Sequence, residues 1–450
     1  MSAGSRSSFR LVFPKRDHKM VFAIALPMII SNIAAPMLGL VDTAIIGHLP
    51  DAIYLSAVAL GAMVLSFIYL LAVFLRMSTT AVIAHAYGAE NITEQQQHFV
   101  HGVVFAVVIG LSIILASPLF ARLLAAILAI DGELLQLTNA YIQIRVWAAP
   151  AALINLVVLG VLLGRQQARA AMLLVIFTNA VNVIADVILI IGLGMNVAGA
   201  AWASFGAEWS TAIIGLLIVS KALRLKRFPM PQWQNMQALL NMNRDIFIRS
   251  LALQLCIAMM TGYASYYGAP VVAANAVLMQ FLVLISLGLD GIAYSVEALI
   301  GQAKGQKNSE RIRRWYQLGL LWSILFAAVY AAIFWLFGHT IVHLITNIPE
   351  VINTASIYLP WLIILPLIAH WSYFFDGVFI GLGASKAMRN TMLIAAFGIF
   401  FPVWAITNFI PTFATLGNHS LWLALCCFMA ARGLGQWLWL RKSSYMQGQL

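Results

Sequence analysis

The chain has 450 residues, 62% of them hydrophobic and 9% charged, with a formal net charge of +11. Soluble proteins carry about 25% charged residues, so a water-soluble fold is excluded and the chain reads as a polytopic membrane protein whose outer solvent is lipid. The positive charge does not point to nucleic acid, because the basic residues sit in short segments between apolar runs, the signature of orientation in a bilayer.

The apolar runs are continuous rather than alternating, which argues for helices and against a β-barrel. About twelve are long enough to cross a bilayer. In order they lie near 20–46, 54–86, 98–120, 136–163, 170–192, 197–220, 246–267, 271–301, 315–338, 356–382, 388–410 and 418–440. The tail 1–19 carries Arg6, Arg10, Lys15, Arg16 and Lys19. The run after it is too long for a signal-peptide core and lacks a cleavage pattern, so it is read as a retained first helix. Within that helix, Pro27 and Pro36 remove backbone donors and are expected to bend it. Asp42 sits in its outer half, where capping competes with a transport role.

The second span holds Arg76, which needs a partner at that depth; Asp42, Asp186 and Glu208 are the candidates. The fifth span contains TNAVNVIADVILIIGLG, in which Asn179, Asn182 and Asp186 fall on one stripe at helical spacing. A carboxylate at mid-membrane depth costs roughly 2.5–3.5 kcal/mol on insertion scales. Helix–helix glue is the bland reading, but amides alone would serve for that, whereas an acid adds a proton-binding option. The sixth span places Ser204 and Glu208 on one face, and the eighth does the same with Asp290 and Glu297. Glu297 is expected near the cytoplasmic end, in reach of water. Tyr266, with Tyr263 and Tyr267, gives the seventh span an aromatic face that fits packing or a substrate wall. The tenth contributes Asp376. Apart from Arg76, the mid-membrane charges are read as acidic. His339 and His343 lack a third ligand, so no metal site is expected. Cys256, Cys426 and Cys427 all fall within spans and give no disulfide or metal pattern.

Lys and Arg crowd the N-terminal tail and the segments near 165–169, 221–244, 304–314, 386–389 and 441–442, while the alternate loops have none. Both termini are therefore expected in the cytoplasm. Loop 87–97, which lacks a basic residue, and Arg122, near an outer loop, fit that rule less well.

AVIAHAYGAEN at 81–91 recurs as ALIGQAKGQKN at 298–308, an offset of 217 that also maps Gly160, Gly164 and Arg169 onto Gly377, Gly381 and Lys386. Six spans separate the copies, so the halves share one topology, as in a parallel repeat about the membrane normal. The expected organisation is a tail 1–19, a six-helix lobe 20–220, a cytoplasmic linker 221–245, a second six-helix lobe 246–440 and a tail 441–450. The acids are not repeated: Asp42 maps to Met259, Asp186 to Val403, Asp376 to Leu159, Asp290 to Val73 and Glu297 to Thr80. A purely structural role gives less reason for that asymmetry. No GxxxxGK[ST] run is present, so uphill work has to come from an ion gradient.

Pro27 with Asp42, YGAEN, GVLLGRQQAR, the Asn179–Asn182–Asp186 stripe with GLGMNVAGAAWAS, and GVFIGLGASK together resemble the multidrug and toxic compound extrusion (MATE) family, most closely its bacterial DinF-type branch. The resemblance covers nearly the whole chain after residue 20. It implies an all-α fold of about twelve transmembrane helices in two pseudo-symmetric six-helix lobes. It also implies a secondary antiporter of the bacterial inner membrane. Such a protein exports amphipathic or cationic organic compounds against inward H⁺, or Na⁺, flow. It is no enzyme, needs no cofactor and is expected to be a monomer. Pro27, Asp42, Asn179, Asn182, Asp186 and Ser204 would form the ion-coupling site and its bend, with any Na⁺ held by Asp42, Asn182 and Asp186. The family often has Thr where this chain has Ser204. Other branches use C-terminal acids; Asp376 matches one, but their seventh-helix glutamate is absent here. Two alternatives remain. A lipid-linked saccharide flippase would need a mid-depth cavity rich in Arg and Lys. A membrane transferase would need a DDxxD- or HxxxxD-type cluster, and none is visible.

Overall fold

The computed structural model describes residues 13–47, 49, 51–128, 132–225 and 233–443. The outer parts of both tails, and 226–232 of the expected linker, lie outside the described residues, as does the Arg122 side chain. Among the described residues there are twelve helices long and apolar enough to span a membrane. In chain order they are α1 (Lys15–Gly47), α2 (Ala52–Gly88), α3 (Ile92–Phe120), α4 (Gly132–Gly164), α5 (Ala168–Gly192), α6 (Asn196–Ala222), α7 (Met236–Tyr267), α8 (Ala269–Gly305), α9 (Ser309–Ile345), α10 (Pro349–Gly381), α11 (Ser385–Phe409) and α12 (His419–Lys442). Each overlaps its expected span. Large side chains such as Leu115 (82% exposed) and Leu344 (81%) point out of the bundle, as they should where lipid is the solvent.

Local departures from α-helix shape the polar interior. α2 is interrupted at residues 72–73. α4 passes through a 3₁₀ turn, Val146–Ala148, just ahead of Pro150, whose ring cannot donate and crowds the carbonyl four residues back. α5 turns to π-helix over Val187–Gly192, beginning directly after Asp186, and α11 does so over Ala396–Phe400. α1, by contrast, remains one helix of 33 residues through Pro27 and Pro36.

The internal repeat is written in backbone approach. A Cβ on Gly160 would meet the Arg76 carbonyl, and one on its counterpart Gly377 would meet that of Ala293. Gly164 lies against the Thr80 carbonyl, and Gly381 against that of Glu297. Residues 76 and 293, like 80 and 297, differ by the same 217. Glycine is required at all four positions because the facing atom is main chain and cannot rotate aside. The lobes themselves meet on the same axis: Gly88 abuts the Gln302 carbonyl, and Gly305 abuts that of His85. At this end His85 Nε2 lies 2.7 Å from the Gly381 carbonyl oxygen, and Gln166 Nε2 donates to Gln302 Oε1 at 2.8 Å. α2 and α8 therefore seal one end of the lobe interface with small residues and neutral hydrogen bonds.

Candidate functional site

α5 packs against α1 and α6, and its polar stripe faces both. Asn179 Nδ2 donates to the Ala34 carbonyl of α1 at 2.9 Å. With its amide turned to satisfy its neighbours, Asn182 Nδ2 donates to Asp186 Oδ2 at 3.0 Å and to Asp42 Oδ1 at 3.1 Å. Its Oδ1 then accepts from Ser204 N at 3.1 Å and Ser204 Oγ at 3.0 Å. One amide thus holds two carboxyls from α1 and α5 and is itself held by α6. Asn182 and Asp186 are almost fully buried. The two carboxyls also lie within hydrogen-bond reach of each other. Asp186 Oδ1 is buried with no donor on it among the described residues. Acceptors that face only acceptors need a proton or a cation between them. Pro27 is buried in α1, and its carbonyl accepts from Ser31 Oγ at 3.0 Å.

Beside this constellation lies a cavity of about 420 Å³ between α2, α4, α5 and α6. Aliphatic side chains make most of its wall; Tyr69, Asn155, Asn179 and Glu208 are among its polar points, with the hydroxyls of Ser66, Thr178 and Thr211. Glu208 Oε2 accepts from Asn155 Nδ2 at 2.7 Å. Arg145, at the end of the first half of α4, interacts electrostatically with Glu208, Tyr69 and Tyr141, and with Asp42 and Asp186 as well.

The C-terminal lobe carries a separate charged set around a cavity of about 220 Å³. Arg249 and Arg432 both donate to Asp376 Oδ2, and Gln436 Nε2 approaches Oδ1 at 3.5 Å. Arg76 reaches across the lobe interface to Glu297 at 3.5 Å and lies over the Tyr294 ring, 4.5 Å from its centroid. Asp290 lines the same cavity. Three guanidinium groups face three carboxyls, so the lining is charge-balanced.

Three expectations need correction. The partner of Arg76 is none of Asp42, Asp186 or Glu208. It is Glu297, because the inner half of α2 packs on α8 rather than toward the acids of its own lobe. Glu297 is 1% exposed, so it is a buried ion-pair partner and not a water-facing acid. The mid-membrane charges are also not acidic apart from Arg76, since Arg145, Arg249 and Arg432 are drawn into the interior. The signal for these three was present, as each falls inside an expected span. Tyr266 is 78% exposed and stacks on Tyr263 at 5.6 Å, away from both cavities. Among the described residues no group of three or more His, Cys, Asp or Glu side chains is placed to hold a metal ion.

The MatE family model matches residues 27–188 and 246–413. DNA damage-inducible protein F of Escherichia coli (strain K12) is 41% identical over 429 residues, covering 94% of this chain and 92% of that one. The probable multidrug resistance protein NorM of Thermotoga maritima is 24% identical over 78% of each chain. The multidrug export protein MepA of Staphylococcus aureus (strain NCTC 8325 / PS 47) is 24% identical over 87% of each. Among solved structures, a MATE protein in the bent conformation superposes with a TM-score of 0.85 at 20% identity, over 96% of this chain and 97% of that one. An outward-facing multidrug resistance MATE transporter of the MOP superfamily gives 0.83 at 21%, over 94% and 95%.

Proposed function

The chain belongs to the MatE family of multi-pass membrane transporters, and from that premise we propose that it is a secondary antiporter exporting amphipathic organic cations against inward proton flow. The observation that carries the reading is the pair Asp42–Asp186 bridged by Asn182, with one buried oxygen lacking a donor. A proton satisfies that oxygen; losing it leaves two neighbouring carboxylates in an apolar surround. The amide presents N–H and not oxygen to the carboxyls, which suits a proton better than Na⁺, whose ligands are oxygens. The bond from Asn179 to the Ala34 carbonyl gives the same stripe a grip on α1, so a change of charge at the pair is felt by a helix with two prolines. The neighbouring cavity offers aliphatic wall, one aromatic ring and one carboxylate, a lining for a cation with an apolar body. Each pH unit across the membrane supplies about 1.4 kcal/mol per proton. We read the protein as a monomer of the bacterial inner membrane with both termini cytoplasmic, closed toward the cytoplasm where Gly88 and Gly305 cross.

The test is uphill efflux of a lipophilic cation from proteoliposomes under pH and Na⁺ gradients imposed separately, with Asp42→Asn and Asp186→Asn beside the wild type. Wild-type flux should follow the pH gradient, and each variant should elute as a folded protein yet fail to pump. Wild-type rates in both variants would reduce the stripe to helix glue.

The flippase reading gains one observation: three buried arginines, with Arg145 partly buried beside them, where such a cavity would be cationic. The lining around Arg76, Arg249 and Arg432 is neutralised by Asp290, Glu297 and Asp376, so antiport remains the better supported.

A further inference from the structure

Arg145 is the one residue of the N-terminal charge set that the antiport reading leaves without a task. It closes the half-helix Gly132–Arg145, immediately before the 3₁₀ turn that Pro150 enforces. Its Nε and Nη1 are buried and have no hydrogen-bond partner, and it forms no salt bridge among the described residues. Its guanidinium lies beside Tyr141 of the same half-helix, with which it interacts electrostatically. The charged and titratable groups within its electrostatic reach are Tyr141 on its own helix, Tyr69 on α2, Glu208 on α6, Asp42 on α1 and Asp186 on α5. Tyr69 Oη is likewise buried without a partner. A guanidinium with two buried, free donors beside two anionic sites, yet bonded to neither, is costly unless it can close on one of them.

We propose that Arg145 is the charge-exchange residue of the antiporter, pairing in turn with Glu208 of the cavity and with the Asp42–Asp186 pair. While the pair shares a proton, Arg145 neutralises Glu208. A cationic substrate that docks on Glu208 displaces Arg145, which closes on the pair and expels the proton. The lobe's net charge is the same in both states. With the proton bound, the pair carries one negative charge, Glu208 another and Arg145 one positive charge. With the substrate bound, the pair carries two negative charges, Glu208 one, and Arg145 and the substrate two positive. One proton is exchanged for one monovalent cation, and the low-dielectric interior holds the same net charge throughout. The inference rests on the antiport reading and names the residue that links its two halves.

The experiment measures proton release in weakly buffered detergent solution when tetraphenylphosphonium is added to the intact protein. Wild type should release about one proton per cation bound. Arg145→Met should still bind the cation but release less than about a fifth as much, whereas a merely structural role would lower binding and leave the ratio unchanged. A wild-type ratio in Arg145→Met overturns the exchange role while the antiport reading stands. No release from wild type removes the antiport reading itself. If Arg145→Met does not fold, Glu208→Gln decides: with Arg145 left permanently to the pair, the residual cation binding should release no proton, and a wild-type ratio there also overturns the proposal.

Discussion

Substituting Gly305 by Ala tests the seal between the lobes. A Cβ at that position would press on the His85 carbonyl oxygen, and the symmetric Gly88 faces the Gln302 carbonyl in the same way. Both obstacles are main chain, so the helices have to part by about 1 Å, and overpacking of this kind typically costs about 1–3 kcal/mol. If α2 and α8 separate in the alternate state, that penalty falls on the sealed state alone. Each 1.4 kcal/mol is tenfold in an equilibrium, so the sealed fraction should drop about 5- to 150-fold relative to the parted one. Gln166 and Gln302 touch across this end at 2.8 Å. Replacing both by Cys, in a background without Cys256, Cys426 and Cys427, allows a short bis-maleimide to report closure. Crosslinking should slow in Gly305→Ala, and transport should fall with it. Gly206→Ala, where nothing lies within 4 Å of the new Cβ, should change neither. Crosslinking and transport at wild-type rates in Gly305→Ala would show that the crossing is not part of the conformational cycle.

Two further expectations follow from the charges. Arg76→Met leaves Glu297 buried without its partner and should destabilise the protein by about 3–5 kcal/mol; adding Glu297→Gln should recover most of that loss in thermal unfolding, and failure to recover would mean that the pair is not the main interaction of either residue. Tyr266→Ala should alter stability by less than about 0.5 kcal/mol and leave efflux unchanged, because the ring is 78% exposed and away from both cavities; a lost substrate response would restore it to the binding site.

The sequence made the scaffold legible for a specific reason. Span length is dictated by bilayer thickness, and the repeat is carried by glycines at close backbone approaches, where no other side chain fits. The stripe Asn179–Asn182–Asp186 was legible too, since one helix fixes their common face. What one helix cannot reveal is the facing residue on another. The sequence offers Arg76 the acids of its own lobe, whereas α2 presents it to α8 and Glu297. Arg249 sits near the start of its apolar run, where a basic residue reads as a flank; Arg432 lies inside its own, and only the bundle shows both converging on Asp376. Arg145 was hidden differently: Pro150 breaks α4 after it, and a span read as unbroken gives no hint that its first half ends there. The interruption of α2 at residues 72–73 left no proline signal, yet it opens beside the cavity that Tyr69 and Glu208 line.

The division of charge between the lobes constrains how such a machine can move. The N-terminal set holds the Asp42–Asp186 pair to which we assign the exchangeable proton; in the C-terminal set Arg249 and Arg432 share Asp376, and Glu297 takes Arg76. Arg76 belongs by sequence to the first lobe and by contact to the second. If the lobes part at the Gly88–Gly305 end, Arg76 separates from Glu297, and stranding two buried charges costs several kcal/mol. One proton moving down a gradient of one pH unit provides about 1.4 kcal/mol, which is too little to break the pair in a dry interior. The membrane potential adds nothing to this, because the proposed exchange of one proton for one monovalent cation carries no net charge across the membrane. The pair can therefore open only as water enters between α2 and α8, and the neutral contacts that close this end, His85 to Gly381 and Gln166 to Gln302, are groups that water can replace at little cost. The lobes would then part first at the residues nearest the aqueous phase, and the ion pair would part last.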